Sequence, residues 1–285
     1  MRHARRAAAW LARAAAIVVL VIVGSTILIR FAPGYLSDAR EMDSRYASGA
    51  RAELSTEAGR SRSLFQMLAS EAAGLSHGDA GTSRQFGVPV FELIRPRLRV
   101  TGLLLLESLV LAWTAALCAA VFSSAGRRPS FLWQAPATIL LAMPAAAMAT
   151  LCLLADSGGP VMVMALLLAA RDFKFLHRVL RKAWLDPSTL QALAQGIPAH
   201  RVLWKHILPS IAPRLSALAS LSIVTALSAL VPVEVIFNVP GLGQLAWSAA
   251  MNRDLPVLLA ITAMMALAVT AAGAGGSEPA EWKNA

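Results

Sequence analysis

Uninterrupted apolar runs are the feature that most restricts how this chain folds. Residues 14–29, 134–155 and 215–233 contain no Asp, Glu, Lys or Arg, and 100–122 is broken only by Glu107. A helix needs about 20 predominantly apolar residues to cross a bilayer core, where its backbone groups are satisfied within the segment. The expectation is therefore an all-α, polytopic membrane protein. Composition agrees, since 57% of the 285 residues are hydrophobic and only 15% are charged.

Six spans are expected, over 14–29, 100–122, 134–155, 157–170, 215–233 and 255–273. The fourth is interrupted by Arg171, although Phe173, Phe175 and Leu176 extend its apolar character. The first, preceded by Arg2, Arg5, Arg6 and Arg13 and followed by no clear small-x-small site, reads as an uncleaved anchor rather than a signal peptide. Short cytoplasmic loops carry the excess of Lys and Arg. Here the basic residues precede span one, follow span two as Arg127 and Arg128, and crowd between spans four and five from Arg171 to Arg214. The N-terminus is thus expected in the cytoplasm. The organisation that follows is a cytoplasmic N-terminus and first span over 1–31, an extracytoplasmic region over 32–99 with helix around 47–73, a five-span core over 100–276, and a cytoplasmic tail over 277–285.

A net charge of +10 confined to segments between apolar runs argues for a membrane boundary and against nucleic-acid binding. Cys118 and Cys152 lie in apolar runs and offer neither a disulfide framework nor a metal site. His3, His77, His177, His200 and His206 show no ligand spacing either.

The segment 186–209 is more than a connector. Asp186 supplies an N-cap acceptor, Pro187 suits the first helical position, and Gly196 is placed to end the helix in a left-handed conformation. A second helix is expected from near Pro198 until Pro209 and Pro213 restrict it. Read from residues alone, this is an amphipathic hairpin at the membrane surface, with Arg201 and Lys205 toward lipid headgroups.

The spacing resembles the cytoplasmic signature of ABC importer permeases: Glu-Ala-Ala, three residues, Gly, nine residues, Ile-x-Leu-Pro. Ala192, Gly196, Leu208 and Pro209 stand in register, whereas Leu190 and Gln191 replace the first Glu-Ala and His206 replaces the Ile. The run Val233-Glu234-Val235-Ile236-Phe237-Asn238-Val239-Pro240-Gly241-Leu242-Gly243, followed by Asn252-Arg253-Asp254-Leu255-Pro256, is similar to the segment joining the last two spans in dipeptide, oligopeptide and nickel importer permeases. Gly87-Val88-Pro89-Val90, with Leu93-Ile94 and Arg97-Leu98, looks like the entry to span two of their first permease subunit.

This resemblance implies a type I ABC importer permease fold and an inner-membrane location. It implies three kinds of partner besides lipid: a second homologous permease, two cytoplasmic ATP-binding subunits and an extracytoplasmic solute-binding protein. ATP would be bound by those subunits and no cofactor by this chain, which has no Gly-x4-Gly-Lys-Ser/Thr loop. Ala192, Gly196, Leu208 and Pro209 would form the ATPase-coupling loop. Glu234, Pro240, Gly241 and Gly243 would lie near the external gate, Gly241 and Gly243 being able to take unusual backbone angles and permitting a close backbone approach. The cargo would be peptides or similar small solutes, nickel complexes included.

Glu107 needs separate treatment, because a carboxylate inside a span is costly unless paired, hydrated or protonated. It is either neutralised across an interface with the partner permease or lines the pathway, where it could meet the amino end of a peptide. A channel or secondary transporter satisfies the same composition. A multi-pass serine hydrolase is disfavoured, since no span serine sits in a Gly-x-Ser-x-Gly elbow and no histidine lies within an expected span.

Overall fold

The computed structural model describes residues 12, 16–17, 19–20, 23–24, 81–83, 85–124, 130–252 and 254–275. The helix expected around 47–73, the loop arginines Arg127 and Arg128, the tail 277–285 and most of the first span lie outside the described residues. Regular structure among the described residues is helical apart from one antiparallel bridge between Thr82 and Pro89. The helices are α1 (Val90–Ser124), α2 (Ser130–Ala142), α3 (Ala145–Leu154), α4 (Pro160–Trp184), α5 (Pro187–Ala194), α6 (Ala199–Val202), α7 (Leu208–Ile236), α8 (Leu242–Met251) and α9 (Leu255–Gly275). A wide π-type turn, Leu203–Ile207, joins α6 to α7 without a break.

Among the described residues three helices are long and apolar enough to cross a membrane: Val90–Ser124, Ala199–Ile236 and Leu255–Gly273. A fourth is reached if α2 and α3 count together as one bent span. The expected span over 134–155 is therefore not one continuous helix but this bent pair. The axes of Trp133–Ala142 and Ala145–Leu154 differ by 98°. Pro144 has no N–H to donate and its ring disfavours a helical residue before it. The α2 ladder therefore closes with Met143 N–H on Leu140 O (3.2 Å), and α3 restarts with Met148 N–H on Pro144 O (3.0 Å). The lack of charge reported apolarity correctly but said nothing of straightness.

Two further boundaries differ from expectation. The helix of span two starts at Val90 rather than near 100, so Arg95, Arg97 and Arg99 are helical. The expected fourth span is the front half of the 25-residue α4, opened by Pro160 after Gly159. From Arg171 onward α4 is amphipathic, burying Phe173, Leu176, His177 and Leu180 while exposing Arg178, Arg181 and Lys182.

The chain divides into two compact units. One comprises the described residues up to Pro96 with Leu245–Leu267, and the other Arg97–Gln244 with the described residues from Ala268 onward. In the second unit α4 and α7 pack side by side, with α2 and α3 against α4 and α3 also against α7. Its interior holds two apolar clusters. The first gathers Ala116 and Ala120 of α1 with Phe173, Leu176, Leu180, Val202, Leu203, Ile207, Ile211 and Leu218. The second gathers Ala112 with Met148, Val163, Met164, Leu168, Ala226 and Val233. Hydroxyls within the apolar helices fold back onto carbonyls one turn earlier, as Thr114 does on Val110 (2.9 Å), Ser228 on Val224 (3.0 Å) and Thr262 on Leu258 (2.8 Å). This satisfies a polar group without exposing it to hydrocarbon.

Candidate functional site

The helix–glycine–helix element of 186–209 forms as its local chemistry dictates. Asp186 Oδ1 accepts from both the N–H (3.0 Å) and the hydroxyl (2.6 Å) of Ser188. These bonds, the hydroxyl's first, hold the Asp186 carboxyl below the usual carboxylate range. At the other end Gly196 takes φ +81°, with Gly196 N–H on Leu193 O (3.0 Å) and Ile197 N–H on Ala192 O (3.2 Å). Those paired bonds are a Schellman closure, which requires a left-handed residue at that position.

The second half of the element departs from expectation. Neither Pro209 nor Pro213 stops it; α7 runs through both to Ile236. Pro209 cannot donate to the carbonyl four residues back and its ring crowds that carbonyl. The preceding turn widens instead, so that Leu208 N–H reaches Leu203 O, one residue further back than in an α-helix.

Nor is the apolar side of the hairpin free. Val202, Leu203 and Ile207 are buried, and Ala192, Leu193, Ile197 and Leu208 half-buried, all in the first apolar cluster of this same chain. Of the four signature residues, Ala192 and Leu208 face inward whereas Gly196 and Pro209 are exposed. The large apolar side chains left for a partner are Leu185, Leu190 and Trp204, the last 69% exposed.

A second constellation lies at the far end of α7. Glu234 is fully buried, and its carboxylate accepts from the Thr101 hydroxyl (2.7 Å), the Gly243 N–H (2.7 Å) and the Gln244 N–H (3.2 Å). Thr101 in turn accepts from the Leu242 N–H (2.8 Å). Leu242, Gly243 and Gln244 are the first three residues of α8. Their N–H groups have no intrahelical acceptor, and a residue just before a helix normally supplies one from its side chain. Gly241 has none, so a carboxylate from α7 and a hydroxyl from α1 do it, with negative charge at the positive end of the helix dipole.

The geometry explains both glycines, though not by unusual angles. Neither Gly241 nor Gly243 has a positive φ; the left-handed residue of this loop is Asn238, at φ +52°. A Cβ on Gly241 would overlap the Glu234 carboxylate, and one on Gly243 would sit 2.9 Å from Val231 Cα. The expected close approach, of the Glu234 carboxylate to Gly241 and of the α7 backbone to Gly243, demands glycine here rather than conformation. Asn238 ends α7 with a further Schellman pair, Asn238 N–H on Val235 O (3.2 Å) and Val239 N–H on Glu234 O (2.8 Å), and accepts from Gln244 Nε2 (2.6 Å).

Of the expected gate residues, Glu234, Gly241 and Gly243 are thus brought together, Pro240 is exposed beside them, and Glu107 is elsewhere, exposed on α1. Sequence reasoning missed Thr101, because nothing local marks a threonine as the partner of a residue 133 positions away. It also missed a half-buried ion pair. Asp172, fully buried, accepts from Ser222 (2.8 Å) and from Arg171 (3.3 Å), while Arg171 also contacts Thr225, tying α4 to α7. The signal was present as two adjacent opposite charges at the end of an apolar run. Ser123 and His177 Nδ1 are 2.8 Å apart within the first cluster, where both are buried; they tie α1 to α4 and have no exposed face for a substrate. In the other unit, Asp254 accepts from the Ser83 hydroxyl and from the Gln85 N–H (3.2 Å), tying the segment just before Gly87 to the Asn252–Pro256 motif.

Among the described residues one continuous helical path, Ala199–Ile236, links a capped hairpin to a buried carboxylate cluster and is long and apolar enough to cross a membrane, which fits a subunit of a membrane transport system. The chain belongs to the binding-protein-dependent transport system inner membrane components, the family whose description matches residues 108–274. It is 28% identical over 298 residues to the oligopeptide transport system permease protein AppB of Bacillus subtilis (strain 168), covering 92% of this chain and 93% of that one. It is 33% identical over 75 residues to the oligopeptide transport system permease protein OppB of Salmonella typhimurium, 26% of this chain and 24% of that one, and matches OppB of Escherichia coli (strain K12) to the same extent. These relatives are permease components of transport systems, not enzymes. The chain is an ABC importer permease of type I, all-helical and multi-pass in the inner membrane.

Proposed function

We propose that this subunit forms half of the translocation pathway of an ATP-driven peptide importer. It works with a second homologous permease, two cytoplasmic ATP-binding subunits and an extracytoplasmic solute-binding protein. The N-terminus and the 186–209 hairpin lie in the cytoplasm, and ATP is bound and hydrolysed by the ATP-binding subunits. The similarity to oligopeptide permeases along nearly the whole chain supports peptides as cargo.

The observation that carries the mechanism is the unbroken helical path Ala199–Ile236. Its 38 residues amount to about 57 Å at the usual rise, so the hairpin at one end and Glu234 at the other belong to one stiff body. Movement imposed on Leu190 and Trp204 by a closing ATPase pair is then delivered at the α8 loop as a near rigid-body displacement.

Gly196 tests this reading. Nothing lies within 4 Å of a Cβ placed there, so substitution strains only the left-handed backbone. In the reconstituted complex, Gly196→Val is expected to cut ATP-driven peptide uptake at least tenfold, with ATPase activity persisting, while Gly196→Asn retains uptake because Asn tolerates that conformation. Equal uptake by both would remove the hairpin from the mechanism. Uptake without any ATP-binding subunit would make the protein a channel or secondary transporter.

A further inference from the structure

We propose that the Glu107 face of α1 is the surface on which a transmembrane helix of a different, cation-bearing subunit packs, with Glu107 accepting hydrogen bonds from that cation. The inference rests on the reading of this chain as one permease of a pair, and adds where the pair joins and which chemistry joins it.

α1 is two-sided. Thr101, Leu104, Ser108, Ala112, Ala116 and Ala120 turn inward and are buried. On the opposite side Leu103, Leu106, Val110 and Leu111 are between 41% and 59% exposed, and Glu107 is exposed in their midst. Glu107 makes no hydrogen bond or ion pair among the described residues; the ion pair found there is Arg171 with Asp172. It lies about 10 Å along the helix from residue 100, well inside the apolar window and beyond easy reach of water at the helix end. Hydrocarbon is an expensive surrounding for a carboxylate, and a glutamate is too short to extend far toward the interface. Something polar must therefore cover this face.

The same face is shaped for close helix contact on its other half. Thr114, Ala115, Cys118 and Ala119 are all small and exposed, at the four-residue spacings that let two backbones approach. The carboxylate then decides what kind of helix approaches. In a symmetric dimer of this chain with its axis along the membrane normal, α1 against α1 would set Glu107 opposite Glu107 at equal depth. Like charges in a low-dielectric medium repel strongly. A different chain bearing Lys, Arg or protonated His at that depth removes the conflict. Charge therefore selects a heteromeric neighbour over a second copy.

Cys118 reports directly on this face, because with Cys152→Ser it becomes the one thiol of the 285-residue chain. The full chain, tagged and carrying Cys152→Ser, is expressed alone and, separately, purified from its native membranes with its co-purifying permease. Labelling by the membrane-permeant reagent N-ethylmaleimide is then timed. Cys118 is expected to react readily in the chain alone and at least tenfold more slowly in the complex. Glu107→Lys is expected to abolish co-purification and return Cys118 to the rate of the chain alone, without lowering the melting temperature of that isolated chain, since Glu107 bonds to none of the described residues. Equal labelling in chain and complex overturns the proposal while leaving the permease pair intact. Protection already present in the chain alone overturns it too: Cys118–Cys118 disulfide formation on mild oxidation would then mark a second copy, and its absence cover by the chain's own first span. Normal assembly of Glu107→Lys with Cys118 still protected overturns the charge pairing. Wild-type chain that brings down no second permease removes the underlying reading, and this inference with it.

Discussion

At the scale of single residues, the α8 cap leaves little room for change. Glu234, Thr101 and three consecutive N–H groups form a closed set in which each buried donor has its acceptor. Thr101→Val keeps the shape but leaves the Leu242 N–H buried and unpaired, a loss of about 1–3 kcal/mol, whereas Thr101→Ser should restore most of it. Thermal unfolding of the detergent-purified subunit should rank wild type and Ser above Val, and equal melting temperatures would show that the hydroxyl is dispensable. Gly241→Ala should cost about 1–3 kcal/mol through overpacking against Glu234, while Pro240→Ala, one residue away and exposed, should cost little. Asp172→Ala would remove the acceptor shared by Arg171 and Ser222, a loss of about 1.5–3 kcal/mol for hydrogen bonds to a charged group, so a lowered melting temperature of the purified subunit is the expected outcome. The roles of these residues were unequally legible beforehand. Glu234 announced itself as a charge at a span end and the two glycines as a motif, but Thr101 and Ser222 are ordinary hydroxyls in apolar helices whose importance comes from across the fold.

At the scale of elements, what the sequence foretold well was whatever is decided within a few residues. Asp186, Pro187 and Gly196 fixed both ends of α5 because capping is local chemistry. The depressed pKa of Asp186 carries a sign. Its cap is fully present above the unfolded carboxylate range and is lost as pH falls through the lowered folded value. Amide exchange at Ser188 should therefore accelerate, beyond the intrinsic trend, only in acid; Asp186→Asn, which caps without ionising, should show no such excess. Prolines were harder to read. Pro144 breaks its helix sharply, Pro96 and Pro232 lie inside theirs, and Pro209 merely widens the turn before it. Val202, Leu203 and Ile207 are anchored in the first apolar cluster, so the backbone there yields by a residue instead of parting.

At the scale of the whole molecule, the side of the membrane on which Asn252 and Ser188 lie is testable by thiol labelling. In a Cys118→Ser, Cys152→Ser background, Asn252→Cys should react with an impermeant thiol reagent added outside spheroplasts, and Ser188→Cys only after permeabilisation; the reverse pattern would invert the assigned orientation. Both positions are exposed in the chain, so access depends on the membrane alone. The turn at Leu203–Ile207 has a consequence for how the gene tolerates lesions. A π-type turn holds one residue more than an α-helix would need there. Losing exposed Lys205, together with Pro209→Ala to remove the ring, should leave a regular helix with the flanking faces still aligned. Losing one residue from within α7, such as Ala219, instead rotates everything beyond it by about 100°, turning Glu234 away from Thr101. In a deletion scan from Ala199 to Ile236, survival of import is expected only in that one short window, which makes it the place where this helix changes length without changing direction.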